Sequence, residues 1–185
     1  MPQDRTRKIV VTGVLGAIAV LLGLTRLGFI PWVTGASLTI MHVPVIIGAV
    51  LEGPLVGVGI GLIFGIFSMI QAAVAPAGPT DVWFTNPILS VLPRVLIGPV
   101  AWLVWRGLKR WPTAGLIAAG IAGSLTNTIA VLGVIGLLNL VPWAALLPIA
   151  IANGLPEAVA AALITLAVVA AWQRFAIGKR RGANL

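Results

Sequence analysis

Residues 54–74 read PLVGVGIGLIFGIFSMIQAAV, a run of 21 residues without a charged side chain. At a rise of about 1.5 Å per residue, this run forms a helix long enough to cross the ~30 Å hydrocarbon core of a bilayer. The run follows Glu52 and Gly53, and a proline directly after a glycine turn is typical of the first turn of a helix. The stretch therefore predicts a transmembrane helix that begins at the Gly-Pro turn.

The rest of the chain has the same apolar character. Of its 185 residues, 59% are hydrophobic and 9% are charged, whereas soluble domains are typically ~45–50% apolar and ~25% charged. The mean hydropathy of +1.11 agrees with this. The composition excludes an ordinary soluble domain, and the long apolar runs disfavour a transmembrane β-barrel, whose strands alternate in polarity. We therefore expect an integral membrane protein.

Five further apolar runs complete a predicted all-α bundle of six transmembrane helices. They cover residues 9–24, 38–51, 87–105, 113–138 and 143–172. The second run is short and is interrupted by Pro44, so a half-helix fed by a lid-like loop over 25–37 is an alternative to a full span. We interpret the first run as a retained helix rather than a signal peptide, since the remainder of the chain is itself membrane-embedded. The prediction is one transmembrane domain over 1–185, with basic ends at 1–8 and 174–185.

The distribution of positive charge predicts the orientation of the bundle. Ten of the twelve basic residues lie in three clusters that fall on one side of a six-helix topology: Arg5, Arg7, Lys8, Arg106, Lys109, Arg110, Arg174, Lys179, Arg180 and Arg181. The positive-inside rule makes that side cytoplasmic, with both termini inside and the clusters facing anionic lipid rather than nucleic acid. Only Arg26 is basic among the opposite loops. Trp32, Trp83 and Trp143 mark the outer interface.

The scarcity of reactive side chains excludes most enzyme chemistry. The chain has no cysteine, and His42 is its one histidine. Of four acids, only Glu157 lies inside an apolar run away from its ends. No metal site and no cofactor is predicted, because neither a ligand set nor a paired acid and base is present.

Polar side chains at membrane depth form the candidate substrate site, since such residues are costly in lipid and mark functional positions. We predict that eight residues bind substrate: His42, Gln71, Asn86, Ser90, Arg94, Asn127, Asn153 and Glu157. At 1.5 Å per residue, those placed along their helices fall mainly in the outer half of the bundle. The inner half consists of Leu, Val, Ala, Ile and Gly. This asymmetry predicts an outward-facing cup with an apolar floor.

Structural alternatives stay open for these residues. Arg94 could pair with Glu157, or its planar guanidinium could bind a carboxylate of the ligand. His42 could be a hydrogen-bonded structural histidine, and the two asparagines could bridge helices. Glu52, in the Glu-Gly-Pro turn, is expected to be a solvated loop residue.

Small residues at intervals of four indicate where helices pack closely in lipid. Gly53, Gly57, Gly61 and Gly65 form such a stripe, for which we expect packing inside the bundle. On the first helix, Gly13 and Ala17 have the same spacing, and a docking face for another membrane protein is an alternative to internal packing.

Two segments resemble a known family. They are LTIMHVPVIIGA at 38–49, which precedes the Gly-Pro turn and the glycine stripe, and NPILSVLPRVLIG at 86–98. Together they are similar to the substrate-binding S components of energy-coupling factor (ECF) vitamin transporters, and most similar to the pantothenate-type branch. The resemblance extends over essentially the whole chain, including its length and six helices.

The resemblance implies a multi-pass subunit in the plasma membrane of a prokaryote. Such a subunit binds a vitamin from outside and docks through its first helix on a transmembrane T component with two ATPases. The family motif Ala-xxx-Ala corresponds to Gly13 and Ala17 here. The chain has no phosphate-binding loop of the P-loop type, so partners would hydrolyse the ATP. Pyridoxine or folate in place of pantothenate, and less readily a self-sufficient secondary carrier, are the alternatives.

Overall fold

A computed structural model of the chain describes residues 2–25, 27–31, 37–76 and 78–182. Arg26 and Trp32, which the sequence analysis assigned to the first outer loop, lie outside the described residues. In the described part, almost all residues belong to helices, which confirms the predicted all-α class.

Each of the six predicted apolar segments contains helix, although the second begins with the last residues of a strand and becomes helical only at Val43. The helices are α1 (Pro2–Leu24), α2 (Val43–Glu52), α3 (Pro54–Val74), α4 (Pro87–Ser90), α5 (Leu92–Gly107), α6 (Pro112–Leu137) and α7 (Trp143–Gly182). Five segments are long and apolar enough to cross a membrane: α1, α3, α4 together with α5, α6, and α7 up to Gln173. The helix α2 has only ten residues, as the half-helix alternative anticipated.

The connection between α1 and α2 contains a small sheet that the sequence analysis did not predict. Strands β1 (Phe29–Pro31) and β2 (Ser37–Thr39) pair antiparallel, with Phe29 opposite Thr39. The pairing satisfies backbone N–H and C=O groups that would otherwise lack partners beside lipid.

The glycine stripe of α3 packs inside the bundle, as expected. A Cβ on Gly57 would approach Gly98 Cα of α5 at 2.7 Å, and a Cβ on Gly61 would collide with the backbone carbonyl of Arg94. Gly65 faces the junction of α4 and α5. Later residues of α3 contact earlier residues of the α4–α5 segment, so the two are antiparallel. Their backbones are in direct contact.

The same contacts establish an up-and-down order for the other long helices. Gly120 of α6 faces Ala162 of α7, whereas Gly154 of α7 faces Thr128 of α6, so this pair is also antiparallel. Gly59 of α3 faces Thr12 of α1 and Gly16 of α1 faces Ile63 of α3, so α1 and α3 are parallel. Gly115 and Gly123 of α6 face Trp105 and Ala101 of α5, so α5 and α6 are antiparallel. Therefore α1 begins and α7 ends at one end of the bundle, which we call the inner end. The connection between α5 and α6 lies at the same end, and the opposite end is the outer end.

At the inner end, the prediction for Glu52 was wrong. Its carboxylate forms an ion pair with the Arg7 guanidinium at 2.5 Å, and its side chain is only 7% exposed. The pair joins the start of α1 to the turn between α2 and α3, where Gly53 adopts a φ of 102° that side chains disfavour.

The fourth predicted helix is divided at Val91 rather than continuous. Pro93 explains the break, because its ring nitrogen carries no hydrogen and cannot donate to the carbonyl of Leu89 four residues earlier. The short α4 ends at Ser90, and α5 begins at Leu92.

We predict that Gly61→Ala lowers the thermal unfolding temperature of the protein in detergent by several degrees. The new methyl group would collide with the Arg94 carbonyl, and overpacking of this kind costs about 1–3 kcal/mol. Gly133→Ala on α6 is the matched control, because a Cβ there meets no atom within 4 Å. Equal unfolding temperatures for the two variants, followed by tryptophan fluorescence, would contradict close α3–α5 packing.

Candidate binding site

A cavity of about 620 Å³ opens at the outer end of the bundle. This size is within the ~300–1,000 Å³ range of small-molecule sites. The residues that line it come from β2, the 3-10 turn at Asp81–Thr85, α5, α6, the α6–α7 connection and α7: Thr39, Thr80, Trp83, Phe84, Arg94, Asn127, Thr128, Val131, Leu132, Ile135, Val141, Leu146, Pro148, Ile149, Ala152, Asn153 and Glu157. Polar and charged groups thus face an otherwise apolar chamber.

The guanidinium of Arg94 is held by a backbone carbonyl rather than by an acid. Its Nη1 donates a hydrogen bond of 2.6 Å to the carbonyl oxygen of Leu89, the group that Pro93 leaves without its usual helical donor. The residue is 6% exposed, and its Nε has no hydrogen-bond partner among the described residues. Arg94 therefore retains donors that a ligand could use.

Two aromatic rings enclose the same guanidinium. Its central carbon lies 5.4 Å from the centre of the Phe64 ring and 5.1 Å from that of the Phe84 ring. These distances are within the range of cation–π attraction, which stabilises a positive charge where water is excluded. The rings stabilise the charge without supplying hydrogen-bond acceptors, so its N–H groups stay available.

Glu157 contacts the β-sheet connection instead of Arg94. Its Oε1 accepts a 2.7 Å hydrogen bond from the Thr39 backbone N–H and a 3.0 Å bond from the Thr39 hydroxyl. The ion pair that the sequence left open is not formed, since Arg7–Glu52 is the ion pair found among the described residues. Arg94 and Glu157 line the same cavity as separate, opposite charges.

Asn127 and Asn153 are the other predicted residues that reach the cavity. The first is on α6, the second on α7, and both line the chamber. The amide oxygen of each is buried and has no hydrogen-bond partner in the described part of the chain. A buried amide group without a partner costs about 1–3 kcal/mol. The two oxygens therefore lack a partner at the wall of the cavity, and a side-chain movement would bring them to a polar ligand.

The remaining four predicted site residues do not line this cavity. Gln71 donates a 3.3 Å hydrogen bond to the Gly23 carbonyl, and so links α3 to α1. Asn86 caps α4 by accepting from the Ile88 N–H at 2.9 Å. Ser90 donates to the Phe84 carbonyl. These contacts are structural, and a role in substrate binding stays a prediction for all three residues.

His42 lies immediately before α2 and has no solvent exposure. Neither of its ring nitrogens has a hydrogen-bond partner among the described residues. It is not among the residues that line the cavity, so direct contact with substrate also stays a prediction here.

Sequence reasoning missed two kinds of lining residue. Thr39 and Thr128 are short polar side chains that occur at any depth in membrane helices and loops, so they gave no signal. Trp83 was interpreted only as an interface marker, and Phe84 was not considered. One signal could have identified Trp83 and Phe84. They are adjacent aromatic residues just before a proline-containing segment that carries an arginine in an apolar run.

Gly13 and Ala17 lie on an exposed face of α1. A Cβ added at Gly13 would meet no atom within 4 Å, whereas one at Gly16 would collide with Ile63 of α3. In the most apolar window of α1, 17% of residues are buried, against 39% for each of the other four long segments. The predicted docking residues are therefore not used for packing inside the bundle.

Comparisons with known proteins agree with this architecture. A family model described as "ECF transporter, substrate-specific component" matches residues 7–169. The pantothenic acid transporter PanT of Lactococcus lactis subsp. cremoris is 28% identical over 191 aligned residues, which cover 92% of this chain and 96% of that protein. The pantothenate transporter PanT of Leuconostoc mesenteroides subsp. mesenteroides is 31% identical over 140 residues, covering 71% and 69%.

We predict that Glu157→Leu increases hydrogen exchange of the Thr39 amide by roughly 10-fold or more. The substitution removes the acceptor of the Thr39 N–H, and a hydrogen bond to a charged group contributes about 1.5–3 kcal/mol. Glu157→Gln should have a smaller effect, because an amide oxygen still accepts without charge assistance. Mass spectrometry of a peptide that contains Thr39 measures the exchange. An unchanged rate in Glu157→Leu would exclude Glu157 as the anchor of β2.

Proposed function

Because the chain belongs to the family of substrate-specific components of ECF transporters, we propose that it binds pantothenate as the membrane-embedded vitamin-binding subunit of such an importer. The family and the apolar helices make it a multi-pass plasma-membrane transport protein rather than an enzyme. The identity of the vitamin, the contacts that bind it and the partner subunits are the proposed parts.

The observation that carries the proposal is the state of Arg94. It is buried at the edge of the cavity, forms no ion pair within the described part of the chain, and has a free Nε. A buried positive charge without an anionic partner is unfavourable. A carboxylate ligand would remove that penalty, and a guanidinium can bind it through two parallel N–H groups. Pantothenate carries one carboxylate.

The rest of the cavity suits the rest of the vitamin. Pantothenate has two hydroxyls and one amide, which can exchange hydrogen bonds with Asn127, Asn153 and the carboxylate of Glu157. Its branched hydrocarbon portion needs an apolar wall, which Leu132, Ile135 and neighbouring aliphatic residues supply. The two relatives named as pantothenate transporters give independent support. Pyridoxine is disfavoured since it has no carboxylate for Arg94, and folate is considerably larger than pantothenate.

Partner subunits would supply the energy for uptake. We infer a transmembrane T component and two ATPases, because the chain contains no P-loop sequence and because the family is one of substrate-specific components. The exposed face of α1 with Gly13 and Ala17 is the surface that we assign to docking. Small residues on an exposed helix permit the close backbone contact on which helix association in lipid depends.

We predict that the purified protein binds labelled pantothenate with high affinity, and that Arg94→Ala weakens this binding by roughly 10- to 100-fold. That range corresponds to the ~1.5–3 kcal/mol of a hydrogen bond to a charged group. Arg94→Lys should retain part of the affinity, because it keeps the charge but loses the fork geometry. Equilibrium binding in detergent or nanodiscs measures all three proteins, with pyridoxine and folate as competitors.

Two outcomes would overturn this assignment. Absence of pantothenate binding by the folded wild-type protein would reject the vitamin, and equal affinities of wild type and Arg94→Ala would reject the role of Arg94. Thr126→Ala is the control, since the Thr126 hydroxyl donates to the Ala122 carbonyl of its own helix and Thr126 does not line the cavity. It should leave the affinity within about twofold of wild type.

For docking, we predict that Gly13→Leu combined with Ala17→Leu prevents assembly with the T component and ATPases but leaves pantothenate binding unchanged. Leucine side chains would hold the partner helix away from the α1 backbone. Gly133→Leu is the matched control, because Gly133 has the same open surroundings on α6. Co-purification and ATP-dependent uptake into liposomes provide the measurement. Uptake by the chain alone would instead favour a secondary carrier.

A further inference from the structure

We propose that Pro93 is a positioning residue for the vitamin carboxylate: by withholding one backbone N–H, it frees the Leu89 carbonyl to hold Arg94 at the cavity. The inference rests on the proposed function, since it concerns how the binding arginine is oriented. Pro93 itself is buried and does not line the chamber, so it would act through Arg94.

The first step is the hydrogen bond that proline cannot make. In a continuous helix, the N–H of residue 93 would donate to the carbonyl of residue 89. Proline has no N–H, and the Leu89 carbonyl accepts instead from Arg94 Nη1 at 2.6 Å. Any other residue at 93 would supply a competing backbone donor for the same oxygen.

The second step is the restriction of the guanidinium. The flexible arginine side chain loses up to about 2 kcal/mol of rotamer entropy when it is ordered. Here the Leu89 carbonyl fixes Nη1, while Phe64 and Phe84 flank the group. Because that order exists before the ligand arrives, a carboxylate does not have to offset the same loss on binding.

The third step is the support for the helix break at Val91. A Cβ on Gly65 of α3 would approach Val91 Cα at 2.8 Å and the Ser90 carbonyl oxygen at 2.9 Å. The Ser90 hydroxyl donates to the carbonyl of Phe84, so the same turn also holds the residue of one flanking ring. The break, the ring and the arginine are connected through a few adjacent residues.

Pro99 offers a matched comparison within the same helix. It also lies inside α5. It also lacks the N–H that would donate to the carbonyl of the residue four positions earlier. It does not line the cavity. Pro93→Ala and Pro99→Ala therefore make the same chemical change. Only the first adds a backbone N–H near the carbonyl that holds the Arg94 guanidinium.

The experiment measures two ligands against five proteins: wild type, Pro93→Ala, Pro99→Ala, Arg94→Ala and the Arg94→Ala/Pro93→Ala double variant. The ligands are pantothenate and its alcohol analogue, in which a hydroxymethyl group replaces the carboxylate. We expect Pro93→Ala to weaken pantothenate binding about 10-fold and to change the affinity for the alcohol less than about threefold. Pro99→Ala should leave both affinities near wild type. In the Arg94→Ala background, adding Pro93→Ala should cause no further loss, because Pro93 acts through Arg94.

A ligand-free readout separates this inference from the proposed function. In protein labelled with 15N-arginine, the Arg94 Nε–H should exchange slowly with water in wild type and Pro99→Ala, and faster in Pro93→Ala. That result would support the positioning role even if pantothenate does not bind. An equal loss of both ligands in Pro93→Ala, an additive loss in the double variant, or unchanged Nε–H exchange would each overturn it.

Discussion

The contact between the backbones of α3 and α5 is the constraint on which the rest of the structure depends. Lipid tails are as apolar as leucine, so burial of apolar area does not drive helices together within the bilayer. Close approach at Gly57, Gly61 and Gly65 replaces that driving force with van der Waals contact, because the α4–α5 segment packs against a surface without side chains. Without a Cβ at these positions, the carbonyl of Arg94 can lie directly on α3. The location of the positive charge therefore depends on the absence of side chains on the neighbouring helix.

Most of the architecture could be predicted from the sequence, because membrane spans depend on long apolar runs and on the position of basic residues. Arg94, Asn127, Asn153 and Glu157 were also predicted, since polar groups are rare and costly at such depth. Sequence spacing gave no indication of what each polar group contacts. Whether Glu157 contacts Arg94 or Thr39 depends on the position of strand β2. Thr39 and Glu157 are 118 residues apart, so no local sequence pattern indicates their contact. The break at Val91 was missed for a different reason: Pro93 was considered part of a motif, and the carbonyl that it frees was not considered.

The cavity keeps opposite charges apart without exposing either. Glu157 accepts from a backbone N–H and a hydroxyl, whereas Arg94 contacts one carbonyl and two aromatic rings and keeps an Nε without a partner among the described residues. A direct pair would neutralise both groups and leave little reason for an anion to enter. Neutral partners stabilise each charge only partly, which leaves the chamber able to discriminate among ligands by charge.

The ten residues of α2 span only about 15 Å, half of the hydrocarbon thickness. The chain before it, including β1 and β2, must therefore descend below the level of the lipid headgroups to reach His42. Peptide groups at that depth cannot exchange their hydrogen bonds for bonds to water, and each unpaired group costs several kcal/mol. Separation of β1 from β2 on a side that faces lipid therefore costs more free energy than the same separation on a soluble surface.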